Sequence, residues 1–250
     1  MFHCPNTILK FYEVRSVLKV KGVAGSLTVI CGSMFSGKTE ELIRLVRRAM
    51  HARKKVQVFK SALETRCDTT VIQTHDGMTF TARSVSDSAE IERILDPGVQ
   101  VLGIEEVQFL DEGIVPLCQK LADRGVQVIA AGLDQDFRGL PFGFMPTLIA
   151  LADNVMKLHA ICKVCGEEAS RTQRLVGGRP ADWNEPTILI GADERYEARC
   201  RRCHQVRNKP GAKVEPQKPR IKRTREAVHS SEAESTSNEI IIDPNQMKMF

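Results

Sequence analysis

Apolar residues recur along this chain in two rhythms. Leu27 to Cys31 (LTVIC), Val99 to Ile104 (VQVLGI) and Val126 to Ala131 (VQVIAA) are short apolar runs rich in β-branched residues, and Lys55 to Lys60 (KVQVFK) alternates. Runs of this length bounded by turn residues predict strands. Between them the period lengthens. Leu42, Leu45, Val46, Ala49 and Met50 share one helical face and Arg44, Arg47 and Arg48 the other, which predicts a helix from Glu40 onward. Ser86 to Leu95, with Ser and Asp early as caps, and Asp111 to Arg124 predict two more. Gly125 stands where the latter helix needs a positive φ. Strands alternating with helices predict an α/β fold: a mainly parallel sheet covered on both faces.

Past about Leu158 the rhythm breaks. Two Cys-x-x-Cys pairs, Gly177-Gly178 and the stretch Pro180 to Pro186 bound a loop-rich segment in which Ile188 to Ile190 is the one strand expected. After Asn208 the chain turns to Pro, Lys, Arg, Ser and Glu with almost no aromatics, and Ile240 to Ile242 is a lone apolar patch. Such a segment cannot bury enough apolar surface to offset its ordering entropy, so disorder is expected there. This divides the chain into a variable extension (1–25), an α/β domain (26–158), a small second lobe (159–208) and a basic, polar tail (209–250).

Composition changes the picture little. Hydrophobic residues make up 42% and charged residues 27%, which is compatible with a sizeable core. The net charge of +5 is concentrated in the Lys209 to Arg225 cluster, which reads as a solvated linker more readily than as a nucleic-acid surface. No apolar run reaches the ~18 residues of a membrane span. The first 25 residues mix Lys10, Glu13, Arg15, Lys19 and Lys21 among apolar positions, unlike a secretory signal. Of eight cysteines, four form the two pairs and Cys4, Cys31, Cys67 and Cys118 are scattered. That pattern favours metal over disulfides and points to a reducing, cytoplasmic compartment.

Three motifs carry chemistry. Gly32-Ser33-Met34-Phe35-Ser36-Gly37-Lys38-Thr39 has the Gly-x-x-x-x-Gly-Lys-Ser/Thr spacing between a predicted strand and a predicted helix. Glycines permit the tight turn that aims backbone N–H groups at phosphate oxygens, and the following helix adds its positive dipole end. Lys38 would reach the β and γ phosphates, and Thr39 would coordinate Mg²⁺. The pair Glu105-Glu106 ends the Val99–Ile104 strand, where one carboxylate can face a metal and the next can accept a proton from an attacking hydroxyl. Cys162-x-x-Cys165 and Cys200-x-x-Cys203 are 34 residues apart. Two such knuckles supply the four thiolates of a tetrahedral, structural Zn²⁺ site, pinning the ends of an extruded loop; redox dithiols are the alternative. His159 and His204 are read as non-ligands.

Together the segments GSMFSGKTEEL, EEVQF, LDQDF, the two knuckles and YEARCRRC resemble the type II thymidine kinases, in family order from about Ser26 to Arg207. The resemblance implies a P-loop, RecA-like core with a zinc-binding lobe whose lasso loop closes over thymidine. It implies transfer of the ATP γ-phosphate to the thymidine 5′-hydroxyl, giving dTMP for DNA precursor salvage. By the same resemblance Gly32, Ser33, Met34, Phe35, Ser36, Gly37, Lys38 and Thr39, with Glu105, Glu106, Val107 and Gln108, serve ATP. Glu106 is the general base, Lys38 and Arg66 neutralise charge, and Thr39 and Glu105 hold Mg²⁺. Glu105 and Glu64 each stand where the family carries Asp. Met34, Phe109, Leu133, Phe137, Thr172, Thr187, Ile188, Leu189, Ile190, Gly191 and Tyr196 match residues around the base. The family also implies a homotetramer or homodimer and dTTP as a feedback ligand; no membrane or nucleic-acid partner is expected. The competing classes are a nucleic-acid-stimulated ATPase with a zinc ribbon and an interaction protein with a decayed kinase site. Trp183 reads as a loop anchor.

Overall fold

In the computed structural model of the chain, residues 25–63, 71–73, 79–188 and 194–211 are described, the side chains of 71–73, 79–80 and 194 excepted. The expectations for 1–24, for Glu64-Thr65-Arg66, for Leu189 to Gly191 and for the tail from 212 onward lie outside the described residues.

The apolar runs become strands because each can be buried on both faces. β1 (Ser26–Gly32) leads through the glycine-rich loop into α1 (Lys38–His51), and β2 (Val56–Ser61) follows. A small antiparallel pair, β3 (Val71–Gln73) and β4 (Thr79–Thr81), precedes β5 (Arg83–Val85). Then come α2 (Ser88–Ile94), β6 (Val101–Glu105), a 3₁₀ turn (Val107–Phe109), α3 (Ile114–Asp123), β7 (Gln127–Leu133), α4 (Met145–Leu151) and β8 (Asn154–Leu158). Asp87 caps α2 by accepting a hydrogen bond from the Glu90 N–H at 2.7 Å.

Six strands form one sheet in the order β5-β2-β6-β7-β1-β8, and every neighbouring pair is parallel. Residues alternate across it. Leu27, Val29, Leu102, Ile104, Val128 and Ala130 pack with Ile91, Ile114, Leu117, Leu121, Met145 and Leu148 of α2, α3 and α4. Ile30, Val101, Ile129 and Ala131 pack with Leu42, Ile43, Val46 and Ala49 of α1 on the opposite face. Helix α1 lies close because β6 offers it Gly103: a Cβ there would stand 3.3 Å from Val46 Cγ2 and 3.2 Å from Val58 Cγ2.

The segment beyond Leu158 is less loop-rich than its composition predicts. β9 (Ala160–Ile161) pairs with β10 (Glu168–Ala169), and β11 (Arg171–Val176) lies between β12 (Arg179–Pro180) and β13 (Glu194–Arg199). Of the strand expected at Ile188 to Ile190, Ile188 alone is described, and it sits in a bend. Thr172, Gln173 and Arg174 are all buried in β11, so this strand is held by satisfied polar groups, which periodicity does not register.

Leu102 is wholly buried in the larger apolar layer. Leu102→Ala should cost about 2–5 kcal/mol, seen as a lower urea midpoint at unchanged slope.

Candidate active site

The parallel strands β1, β6 and β7 lie side by side and end at Gly32, Glu105 and Leu133. The carboxyl ends of parallel strands are where such sheets bind ligands. Gly32 has φ +146, and a Cβ there would lie 2.2 Å from the Leu158 carbonyl oxygen, so the turn out of β1 demands glycine. Phe35 (φ 64) and Gly37 (φ 80) continue the curl into the N-terminus of α1, where no side chain caps the helix. That leaves the first-turn N–H groups for an anion. Lys38 is buried and donates to the Ser33 carbonyl at 2.8 Å, as does the Ser36 hydroxyl.

Thr39 donates its hydroxyl to Glu105 Oε1 at 2.6 Å, joining the loop to the end of β6. Glu105 is buried, and its Oε2 has no hydrogen-bond partner among the described residues. Burial, then the charge of Glu106, push its carboxyl up to about 8; the Thr39 hydroxyl and Lys38 pull the other way. A hydroxyl and a carboxyl group with one orphaned buried oxygen, set at a phosphate loop, form a donor set that suits Mg²⁺. Glu106 has a left-handed backbone (φ 52), and its Oε2 accepts from Gln108 Nε2. The other end of that amide, Gln108 Oε1, accepts from the Leu133 N–H at 3.0 Å. Gln108 thus ties Glu106 to the end of β7, while Val107 is wholly buried in the apolar core.

Beside these lies an aromatic group. Phe109 meets Phe142 edge-on, with centroids 5.5 Å apart. Phe137 is buried; the Arg174 guanidinium covers its ring at 4.0 Å, with Arg138 at 5.4 Å. Arg138 also donates to Thr187 Oγ1. Ile188 is exposed, and Tyr196 sits opposite Arg174 in the β11–β13 register. Thr172 Oγ1 accepts from the Met34 N–H at 3.0 Å, and Ser33 donates to the Ala169 carbonyl at 3.3 Å, so β10 and β11 rest directly on the phosphate loop. Phe142, Arg138 and Arg174 were not singled out by sequence reasoning. Phe142 had a faint signal in its position shortly after the LDQDF segment; the two arginines read as ordinary polar residues.

The sulfur atoms of Cys162, Cys165, Cys200 and Cys203 all lie within 4.8 Å of one another. Four sulfurs so placed match the edges of a tetrahedron around Zn²⁺ with bonds of ~2.3 Å. Burial raises the Cys162 thiol, but N–H groups of Cys200, Val164 and Cys165 overcome this and bring it down to about 6. Cys203, donating to Cys200, is pushed up to about 12. The cluster therefore shares protons that a cation would displace. Neither histidine joins it: His204 Nε2 meets the Phe137 carbonyl at 2.8 Å, and His159 faces Glu168 at 3.5 Å. Trp183 lies within 6 Å of the Arg138 and Lys209 cations, 5.8 and 5.9 Å from its ring centroid.

A model of the thymidine kinase family matches residues 25–204. The chain belongs to the thymidine kinase family. The match takes in the phosphate loop, the acidic strand end and all four clustered cysteines of this thymidine kinase family member. Among solved structures it is similar to one described as an ATPase, with 13% identity and a TM-score of 0.37 over 71% of this chain and 80% of that one. It is also similar to the cytoplasmic domain of the Thermomonospora curvata Type VII secretion ATPase EccC, with 12% identity and a TM-score of 0.35 over 70% of this chain and 24% of that one. Among the described residues, no helix is long and apolar enough to cross a membrane.

The raised carboxyl of Glu105 has a consequence for stability. Folding favours its neutral form, so its contribution is full below about 4.5 and is lost as pH rises through about 8. Glu105→Gln stays neutral and keeps an acceptor for Thr39. Its melting temperature without nucleotide should exceed that of the wild type by a margin that widens from pH 5 to pH 8.5. A margin that is constant with pH would show that Glu105 ionises normally.

Proposed function

We propose that this thymidine kinase family member transfers the γ-phosphate of ATP to the 5′-hydroxyl of thymidine, giving dTMP for DNA precursor salvage. The observation that carries this reading is the Thr39–Glu105 hydrogen bond, which joins a phosphate loop to an acidic pair next to an aromatic group. Gly32 to Thr39 wrap the phosphates, and Lys38 exchanges the Ser33 carbonyl for the β and γ oxygens. Thr39 and Glu105 would hold Mg²⁺, which would supply charge compensation to the phosphates. Glu106, held by Gln108, accepts the 5′-hydroxyl proton as that oxygen attacks the γ-phosphorus; the bond to the bridging oxygen breaks and ADP leaves. Arg66 neutralises charge on the transferring group.

Phe109, Leu133 and Phe137 pack the thymine ring, with Met34 near its methyl group and Thr172 nearby; Phe142 supports Phe109. Backbone groups from Thr187 to Gly191, with Tyr196, bond the pyrimidine edge. A site that reads hydrogen bonds rejects a wrong edge strongly, whereas a methyl pocket is worth only ~1–3 kcal/mol, so thymine over uracil is the weaker preference. In this reading 26–158 is the kinase core and 159–208 the zinc-pinned lasso lobe. The kinase works in the cytoplasm as a homotetramer or homodimer, with dTTP as its feedback ligand.

Labelled ATP offered with thymidine, uridine, deoxycytidine or nucleic acid tests the reaction directly: label should pass to thymidine. Glu106→Gln should bind thymidine within about threefold of wild type yet lose roughly 10²–10⁴-fold in turnover. Near wild-type turnover would remove Glu106 from this role.

Purified protein should carry about one zinc per chain. Cys162→Ser or chelation should raise the thymidine requirement before the ATP-binding core unfolds. Less than about half an equivalent of zinc in fresh protein would count against a structural site.

A further inference from the structure

The residues that follow the last knuckle cysteine form no strand, yet three of the four bond to other parts of the molecule. His204 Nε2 meets the Phe137 carbonyl oxygen at 2.8 Å. Gln205 is gripped by the buried side chain of Gln173, which accepts from its N–H at 2.8 Å and donates to its carbonyl at 2.8 Å. Arg207 donates its N–H to Ala181 at 3.0 Å and accepts from the Trp183 N–H at 2.8 Å. The segment is a strap laid from the metal knuckle across β11 to the start of the lasso.

Its first residue acts on the base-binding side. A carbonyl can only accept, so His204 must carry its proton on Nε2 and donate. Phe137 belongs to the connection between β7 and α4, in a turn closed by the Gln135–Pro141 bridge and by the Asp136 N–H on the Leu140 carbonyl at 2.9 Å. Asp136 shapes that turn locally by accepting from the Arg138 and Leu140 N–H groups at 2.9 and 3.0 Å. The turn as a whole is docked from outside. Arg174 covers the Phe137 ring at 4.0 Å and is itself bonded to Glu185 and to the Pro186 carbonyl, each at 2.7 Å. His204 holds the Phe137 backbone.

We propose that His204 is a positioning residue: it carries the rigidity of the metal-bound knuckle, one residue away at Cys203, to the backbone of Phe137 and so sets the affinity for the nucleoside. This rests on the reading of Phe137 as part of the thymidine pocket. His204 stands outside the cysteine cluster: the four thiols group without either of its ring nitrogens, and its Nε2 faces Phe137.

Two full-length variants separate the roles. His204→Phe keeps a ring in place and removes the donor; His204→Gln keeps an N–H at similar reach. The thymidine KM of His204→Phe should rise about three- to tenfold, the effect of one lost hydrogen bond. Its kcat and its ATP KM should stay within twofold, and zinc content should equal that of wild type. His204→Gln should return the thymidine KM to within twofold of wild type. Cobalt-loaded His204→Phe should keep the thiolate-to-metal charge-transfer bands of cobalt-loaded wild type. An unmoved thymidine KM in His204→Phe overturns the proposal, as do equal losses for both substrates, altered cobalt bands, or failure of His204→Gln to rescue. Failure of the wild type to phosphorylate thymidine instead overturns the functional reading beneath it.

Discussion

The structure turns on one buried carboxyl group. Glu105 ends the strand β6, is shielded from water, accepts one hydrogen bond from Thr39 and leaves its second oxygen unpartnered among the described residues. An ionised carboxylate in that position is expensive unless a cation joins it. Burial and the neighbouring Glu106 charge both favour the neutral form of the group. The same site therefore trades some stability for readiness to receive positive charge. The parallel sheet makes this arrangement possible, because it sets the ends of β1, β6 and β7 next to one another and closes the loop after β1 over the gap.

The sheet was legible because its strands are buried on both faces and so read as unbroken apolar runs. β1, β2, β6 and β7 and helices α1 to α3 all fall where the periodicity puts them, within a residue or three. β8 was missed: it is an edge strand with Asn154, Val155 and Lys157 exposed, and no apolar run marks it. The strands of the second lobe were missed for a different reason. β11 reads Arg-Thr-Gln-Arg-Leu-Val, yet Arg174 is wholly buried, stabilised by Glu185, the Pro186 carbonyl and the Phe137 ring. Polar burial depends on partners far along the chain, and a local pattern carries no trace of them. The phosphate loop and the four cysteines were legible because their chemistry demands a fixed spacing. Gln108 and His204 act through bonds to Leu133 and Phe137, so their roles emerge only in three dimensions.

The chain before and after Leu158 meets at the phosphate loop and at the β7–α4 connection. Met34 and Ser33 are bonded to Thr172 and Ala169, so β10 and β11 are seated on the backbone that would bind phosphate. A change in the loop on nucleotide binding must therefore either carry the second lobe with it or break these bonds. Arg138, reaching Thr187 from the β7–α4 connection, and Phe137, bonded to His204, add further links. The four cysteines, placed so that they could hold a metal ion, would leave no open coordination position on it and would fix the ends of the long excursion between the knuckles. Those ends hold β13 against β11.

Glu106 shows why two adjacent acids can serve one site. On a regular strand, successive side chains point to opposite faces, which would send Glu105 and Glu106 apart. The left-handed backbone at Glu106 breaks the alternation, and the mutual effect is visible in the push that its charge gives to Glu105. A non-glycine residue in that region costs on the order of 1–3 kcal/mol. Two local bonds offset it: the Gln108 amide on the Glu106 carboxylate, and the Phe109 N–H on the Glu106 carbonyl at 3.1 Å. Both come from the 3₁₀ turn that follows, and that turn is itself anchored because Val107 is buried in the core. The strain at the acid is thus held in place by the burial of Val107 in the core. Gln108 couples the orientation of Glu106 to the end of β7.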